Sequence, residues 1–104
     1  MKLRFTPDAL TEIDAILAGI ADISPSGAAN VRNRLDAVLD RLADQPRCGT
    51  LTSSPRLRRI VVRPYSYLLF YQIAEDAVVV IALRHAARDP VSMPDAAPRP
   101  PPES

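Results

Sequence analysis

RLRRIVVRPYSYLLFYQIAEDAVVVIALRHAARDP, residues 56–90, is the stretch that decides the fold. Three segments in it, Arg58 to Val62, Tyr67 to Ile73 and Val78 to Leu83, are dense in β-branched and aromatic residues, the composition of strands. Only Arg63-Pro64-Tyr65-Ser66 and Ala74-Glu75-Asp76-Ala77 separate them. Connections this short allow antiparallel neighbours alone, because a parallel return needs a crossover of about a dozen residues. A three-stranded meander is therefore expected. Alternation along its first strand puts Arg59, Val61 and Arg63 on one face and Arg58, Ile60 and Val62 on the other. One face of the sheet is then expected to be apolar and covered, the other cationic and open.

Working outward from this stretch, Lys2 to Phe5 alternates polar and apolar side chains as a half-buried strand does. Thr6 follows as a helix cap, Pro7 suits the first helical position, and Asp8 meets the positive end of the helix dipole. Leu10, Ile13, Leu17 and Ile20, with Ile16 beside them, form an apolar stripe opposite Asp8, Thr11, Glu12 and Asp22. Ile23-Ser24-Pro25-Ser26-Gly27 interrupts the pattern. A second helix carries Ala28, Val31, Leu35, Val38, Leu39 and Leu42 on one side and stops at Gln45-Pro46. The two helices are expected to form an antiparallel hairpin on one face of the sheet. Residues 47 to 56 read as a loop, with Gly49, Ser53, Ser54 and Pro55. The first strand is expected to join the meander, since alone it would leave its backbone groups unpaired. The fold class is α+β, in the order β-α-α-β-β-β, with the helical hairpin packed on an antiparallel sheet.

Residues 1–90 make one domain, and residues 91–104 a proline-rich tail without the apolar content for a core, expected to be disordered. No apolar run has the length of a membrane span, and the start lacks a secretory pattern, so a cytoplasmic location is expected. The net charge of +1 hides an asymmetry. Residues 1–46 carry −2, whereas residues 47–88 carry +5, from seven arginines against Glu75 and Asp76. That basic half favours an acidic protein segment or a phosphate backbone as partner.

Arg58, Arg59, Arg63, Arg84 and Arg88 are the main candidate constellation, either as a recognition surface or as solvated charges protecting a strand edge. His85, the single histidine, stands where the last strand leaves the core; it suits a general acid or base near neutral pH, or a backbone bond fixing the strand end. Tyr65, Tyr67 and Tyr71 suit stacking on bases if they face outward, and turn or core packing if they do not. Cys48 reads as a small filler beside Gly49. His85 and Cys48 have no companions at metal-ligand spacing, and three glycines cannot make a phosphate-binding loop, so no metal or cofactor is expected.

In order and spacing, "FTPDALTEIDAI", "LRRIVVRPYSYLLFYQI" and "VVVIALRHAARDP" resemble the RelE/ParE family of type II toxins over about residues 2 to 90. The resemblance implies a bacterial toxin causing growth arrest, associated with plasmid stabilisation and held in a hetero-oligomer by a cognate antitoxin. That antitoxin carries a DNA-binding module of ribbon-helix-helix or similar type. Two activities divide the family. One branch, RelE-like, cleaves messenger RNA on the ribosome; here Arg63 and Arg84 would stabilise the phosphorane and His85 would donate a proton. The other, ParE-like, inhibits DNA gyrase by binding. The meander offers no lysine, guanidinium is a poor general base, and Arg88-Asp89-Pro90 stands where several ribosome-dependent members place an aromatic residue. The ParE-like branch is thus the expectation, with no catalytic residues and with Arg58, Arg59, Arg63, Tyr65, Arg84, His85 and Arg88 as the target- or antitoxin-binding surface. The nuclease is one alternative, and a non-toxic binding module of the same fold is another.

Overall fold

The computed structural model describes residues 1–86; Arg88 and the tail lie outside the described residues. The chain runs β1 (Lys2–Phe5), α1 (Pro7–Ile23), α2 (Pro25–Asp44), β2 (Thr50–Leu51), β3 (Leu57–Val61), β4 (Tyr67–Ile73) and β5 (Ala77–His85). The strands form one sheet in the order β1-β5-β4-β3-β2. The meander is antiparallel throughout, as its short turns require. By contrast β1 joins it parallel to β5, Lys2 opposite Ala77 and Phe5 opposite Val80, so the sheet is mixed rather than purely antiparallel. The helical hairpin supplies the long crossover that parallel pairing needs.

Local chemistry fixes the helix ends. The Thr6 hydroxyl accepts from Ala9 N–H at 3.1 Å, with Pro7 in the first turn. Ser24 alone separates the helices, closing α1 by donating its N–H to Ile20 O and opening α2 by accepting from Gly27 N–H at 3.0 Å. The interruption expected over residues 23–27 is therefore one residue long. Pro25 and Ser26 already belong to α2, because a proline in the first turn needs no N–H partner.

Ile13, Leu35, Val38 and Leu42 pack with Leu69, Tyr71, Val78, Val80 and Leu83 into the main core between helices and sheet. Ala9 and Ile13 are the buried centre of α1, whereas Leu10, expected in the stripe, is 48% exposed. The opposite face of the sheet is not simply cationic. Leu57, Phe70 and Ala82 form a second buried cluster, with Leu68 and Ile81 against it. Alternation assigns this cluster to the side away from the helices, since Leu69 and Tyr71 flank Phe70 and face the main core. β4 is the middle strand of five, and its apolar run from Tyr67 to Tyr71 is what burial on both faces demands.

One further strand was not expected. Thr50–Leu51 pairs antiparallel with Arg58 and Arg59, turning part of the 47–56 loop into the outer edge of the sheet. Two residues are too few to carry a periodicity, so loop-forming neighbours dominate the reading of that segment.

Candidate functional site

The arginines of the meander divide among three settings. Arg58 sits opposite Tyr71 in the β3–β4 ladder and is half-buried. Its guanidinium donates to Arg47 O at 3.2 Å and Gly49 O at 2.9 Å. The fully buried Tyr71 completes this clasp, accepting from Gly49 N–H at 2.9 Å and donating to Pro46 O at 2.8 Å. Burial raises the phenol's pKa against the lowering effect of the Gly49 bond, so the hydroxyl stays protonated and keeps both roles. Gly49 is obligatory for a steric reason. A Cβ there would run into the Tyr71 hydroxyl and come within 2.9 Å of Arg59 O. Arg58 thus ties the segment after α2 to the sheet.

The second setting is the far end of β5. β1 pairs only as far as Val80, so the strand from Ile81 to His85 has an edge beyond its parallel neighbour. Glu12 of α1 meets that edge. Its carboxylate accepts from Leu83 N–H at 3.2 Å and forms an ion pair with Arg84, both side chains about one-quarter exposed. Periodicity had assigned Glu12 to the solvated face of α1. The signal that would find it is the parallel β1, which brings the first turns of α1 beside β5. His85 packs edge-on against Tyr67, ring centres 5.1 Å apart, and its Nδ1 is buried with no hydrogen-bond partner among the described residues. These residues wall a cavity of about 720 Å³ whose apolar lining comes from Ile16, Ile20 and Ile23 of α1 and from Leu83. Ile23 is 90% exposed at its rim.

The third setting lies at the opposite edge. Arg63, just past β3, lines a cavity of about 510 Å³ with Arg59 and with Arg34 and Arg41 of α2. Arg34 Nε donates to Arg63 O at 2.6 Å. Tyr65 is half-buried in the following turn, its N–H bonded to Val62 O at 3.0 Å. Arg34 and Arg41 had drawn no attention, although a spacing of seven residues puts them on one helical face, which is the signal that would find them.

Arg63, Arg84 and His85 therefore emerge from the same end of the sheet yet diverge. β4 lies between β3 and β5, so the strands bearing them are about 10 Å apart. Arg84 turns to Glu12 on α1, whereas Arg63 lines the cavity against α2. Among the described residues no cluster of His, Cys, Asp or Glu has the makings of a metal site.

The model of the ParE toxin of type II toxin-antitoxin systems (parDE) matches residues 3–90. The chain belongs to this toxin family. Toxin RelE2 of Caulobacter vibrioides is 38% identical over 87 residues, covering 84% of this toxin and 97% of that protein. Putative toxin Y4kP of Sinorhizobium fredii is 32% identical over 85 residues, covering 82% and 88%. Among solved structures, the chromosomal ParDE system of P. aeruginosa shares the fold with a TM-score of 0.71 at 16% identity, over 82% of the toxin and 95% of that chain. The intact E. coli RelBE toxin-antitoxin complex aligns with a TM-score of 0.62 at 26% identity, over 79% and 92%. Two helices on a five-stranded mixed sheet are thus the architecture of the RelE/ParE toxins, and no helix among the described residues is long and apolar enough to cross a membrane.

Proposed function

We propose that this toxin is ParE-like: it arrests growth in the cytoplasm by binding DNA gyrase, and a cognate antitoxin neutralises it. The observation that carries the reading is the divergence of Arg63 from Arg84, which is ion-paired with Glu12. Cleavage of RNA needs a base, a phosphorane stabiliser and an acid within hydrogen-bond reach of one phosphate. Here the two guanidinium groups serve opposite edges, and His85 is packed on Tyr67. A binding inhibitor needs no such convergence. Arg59, Arg63, Tyr65, Arg84, His85 and Arg88 are the proposed contact residues. Arg58 contributes indirectly, by fixing the segment that precedes β2.

The solved relatives include ParDE and RelBE toxin-antitoxin systems. An antitoxin segment with an apolar stripe and acidic flanks would suit the groove between α1 and the β5 edge, where Ile16, Ile20 and Leu83 lie beside Arg84. The same antitoxin would carry a DNA-binding module, of ribbon-helix-helix or similar type.

A RelE-like ribosome-dependent endoribonuclease is the second reading, favoured by the relative named toxin RelE2. Expression without antitoxin, followed by primer extension on cellular messenger RNA, separates the two. Growth arrest with uncut messages supports inhibition by binding. Discrete cuts within codons, abolished by Arg63→Ala, would assign the nuclease instead. Unimpaired growth would point to a binding module that has lost toxicity.

A further inference from the structure

The cavity at the α2–β3 edge is an unusual place to find arginines gathered. Arg34 and Arg41, seven residues apart on α2, form one wall, and Arg59 and Arg63 of the β3 edge form the other. Among the described residues no aspartate or glutamate lines it, although the chain has twelve acidic residues. Guanidinium cannot shed its proton, so the like charges of Arg34, Arg41 and Arg63 around this cavity cannot relieve their repulsion by titrating. What relieves it is an anion.

Geometry favours one kind of anion. Arg34 is already oriented by its Nε bond to Arg63 O, and among the described residues its terminal nitrogens have no acceptor. Arg41 and Arg63 have no carboxylate partner there either. A single carboxylate, with two oxygens in one plane, matches one or two guanidinium forks; a tetrahedral phosphate presents oxygens to forks arriving from two walls. The volume of about 510 Å³ falls within the range of small-ligand sites and exceeds what a lone ion fills. Ile60, Val61 and Val38 add apolar lining for the group that bears the phosphate.

We infer that this cavity is a phosphate-binding site, taking the phosphoryl group of a nucleotide or of a nucleic-acid backbone between Arg34 and Arg41 of α2 and Arg63 of the β3 edge. The site goes beyond the proposed function, since it uses residues of α2 that belong to neither the antitoxin groove nor the Arg84 edge, and it stands whether the toxin's target is gyrase or the ribosome.

Fluorescence anisotropy tests it, with the full-length toxin and a labelled single-stranded DNA decamer at about 50 mM salt, where phosphate contacts are strongest. AMP and a hexaglutamate peptide serve as competitors. The expected result is binding that Arg34→Gln with Arg41→Gln weakens by about tenfold or more, with the slope of log affinity on log salt reduced by about two. Arg32→Gln is the control for net charge, because Arg32 pairs with Asp36 and does not line the cavity; it should change affinity less than about twofold. Full displacement by AMP identifies a mononucleotide site, and a decamer that AMP barely displaces identifies the backbone; both support the inference. It is overturned if neither the decamer nor AMP binds, if Arg32→Gln weakens binding as much as the double variant, or if hexaglutamate displaces the decamer more effectively than AMP does. Circular dichroism melting of each variant ensures that the loss is not one of folding.

Discussion

Replacing Glu12 by alanine tests how the β5 edge is built. The carboxylate accepts from Leu83 N–H at 3.2 Å and pairs with Arg84, with both side chains about one-quarter exposed. A hydrogen bond to a charged acceptor is worth about 1.5 kcal/mol at the low end, and the ion pair, discounted for solvent screening, adds under about 1 kcal/mol. Water reaching the freed Leu83 N–H returns part of this, leaving a net loss of roughly 1–2 kcal/mol. In a domain this size such a loss lowers Tm by roughly 6–12 °C. Glu12→Gln keeps a carbonyl oxygen for Leu83 and forfeits only the ion pair, so it should cost under about 1 kcal/mol. Urea unfolding of Glu12→Ala, Arg84→Gln and the double variant should give a coupling energy of about 0.5–1 kcal/mol. Zero coupling, together with an unchanged Tm for Glu12→Ala, would refute the claim that Arg84 is committed to α1.

Three other outcomes follow from the packing. Tyr71→Phe strips the partners from Gly49 N–H and Pro46 O and should cost about 1–3 kcal/mol in denaturant melts. Because burial raises the Tyr71 pKa in the folded state, its stabilisation is complete below the unfolded value of about 10 and is lost as pH rises through the folded value; the wild type should lose stability in that alkaline window and Tyr71→Phe should lack that part of the slope. Gly49→Ala forces a methyl against the Tyr71 hydroxyl and Arg59 O and should destabilise by about 1–3 kcal/mol, visible as a lower Tm. Phe70→Ala should cost about 3–5 kcal/mol in urea unfolding if the far face of the sheet is a true core; a cost below about 1 kcal/mol would count against burial on both faces.

Much of the architecture is legible in the chain because local signals agree with one another. Thr6-Pro7-Asp8 starts a helix that nothing downstream contradicts, and the short turns after β3 and β4 permit one topology. What escapes the sequence depends on neighbours distant along it. Alternation assigns Arg58 to the helix side of β3 but cannot show that Gly49 O waits there, and Glu12 looks solvated until the parallel β1 brings α1 beside Leu83. The apolar run Tyr67–Ile73 marks a strand in either reading; its central position in the sheet is what buries Phe70 on the reverse face. Of the candidate residues, Arg63, Arg84 and His85 do share one end of the sheet, yet they diverge because Arg84 meets Glu12 of α1 whereas Arg63 lines a cavity with Arg34 and Arg41 of α2.

Inhibition without cutting is most directly tested by DNA supercoiling with purified gyrase and increasing amounts of the full-length toxin. The account predicts that supercoiling falls with added toxin, that equimolar antitoxin restores it, and that messenger RNA on translating ribosomes stays intact at the same dose. Undiminished supercoiling at excess toxin, with site-specific cleavage of ribosome-bound message, would contradict it.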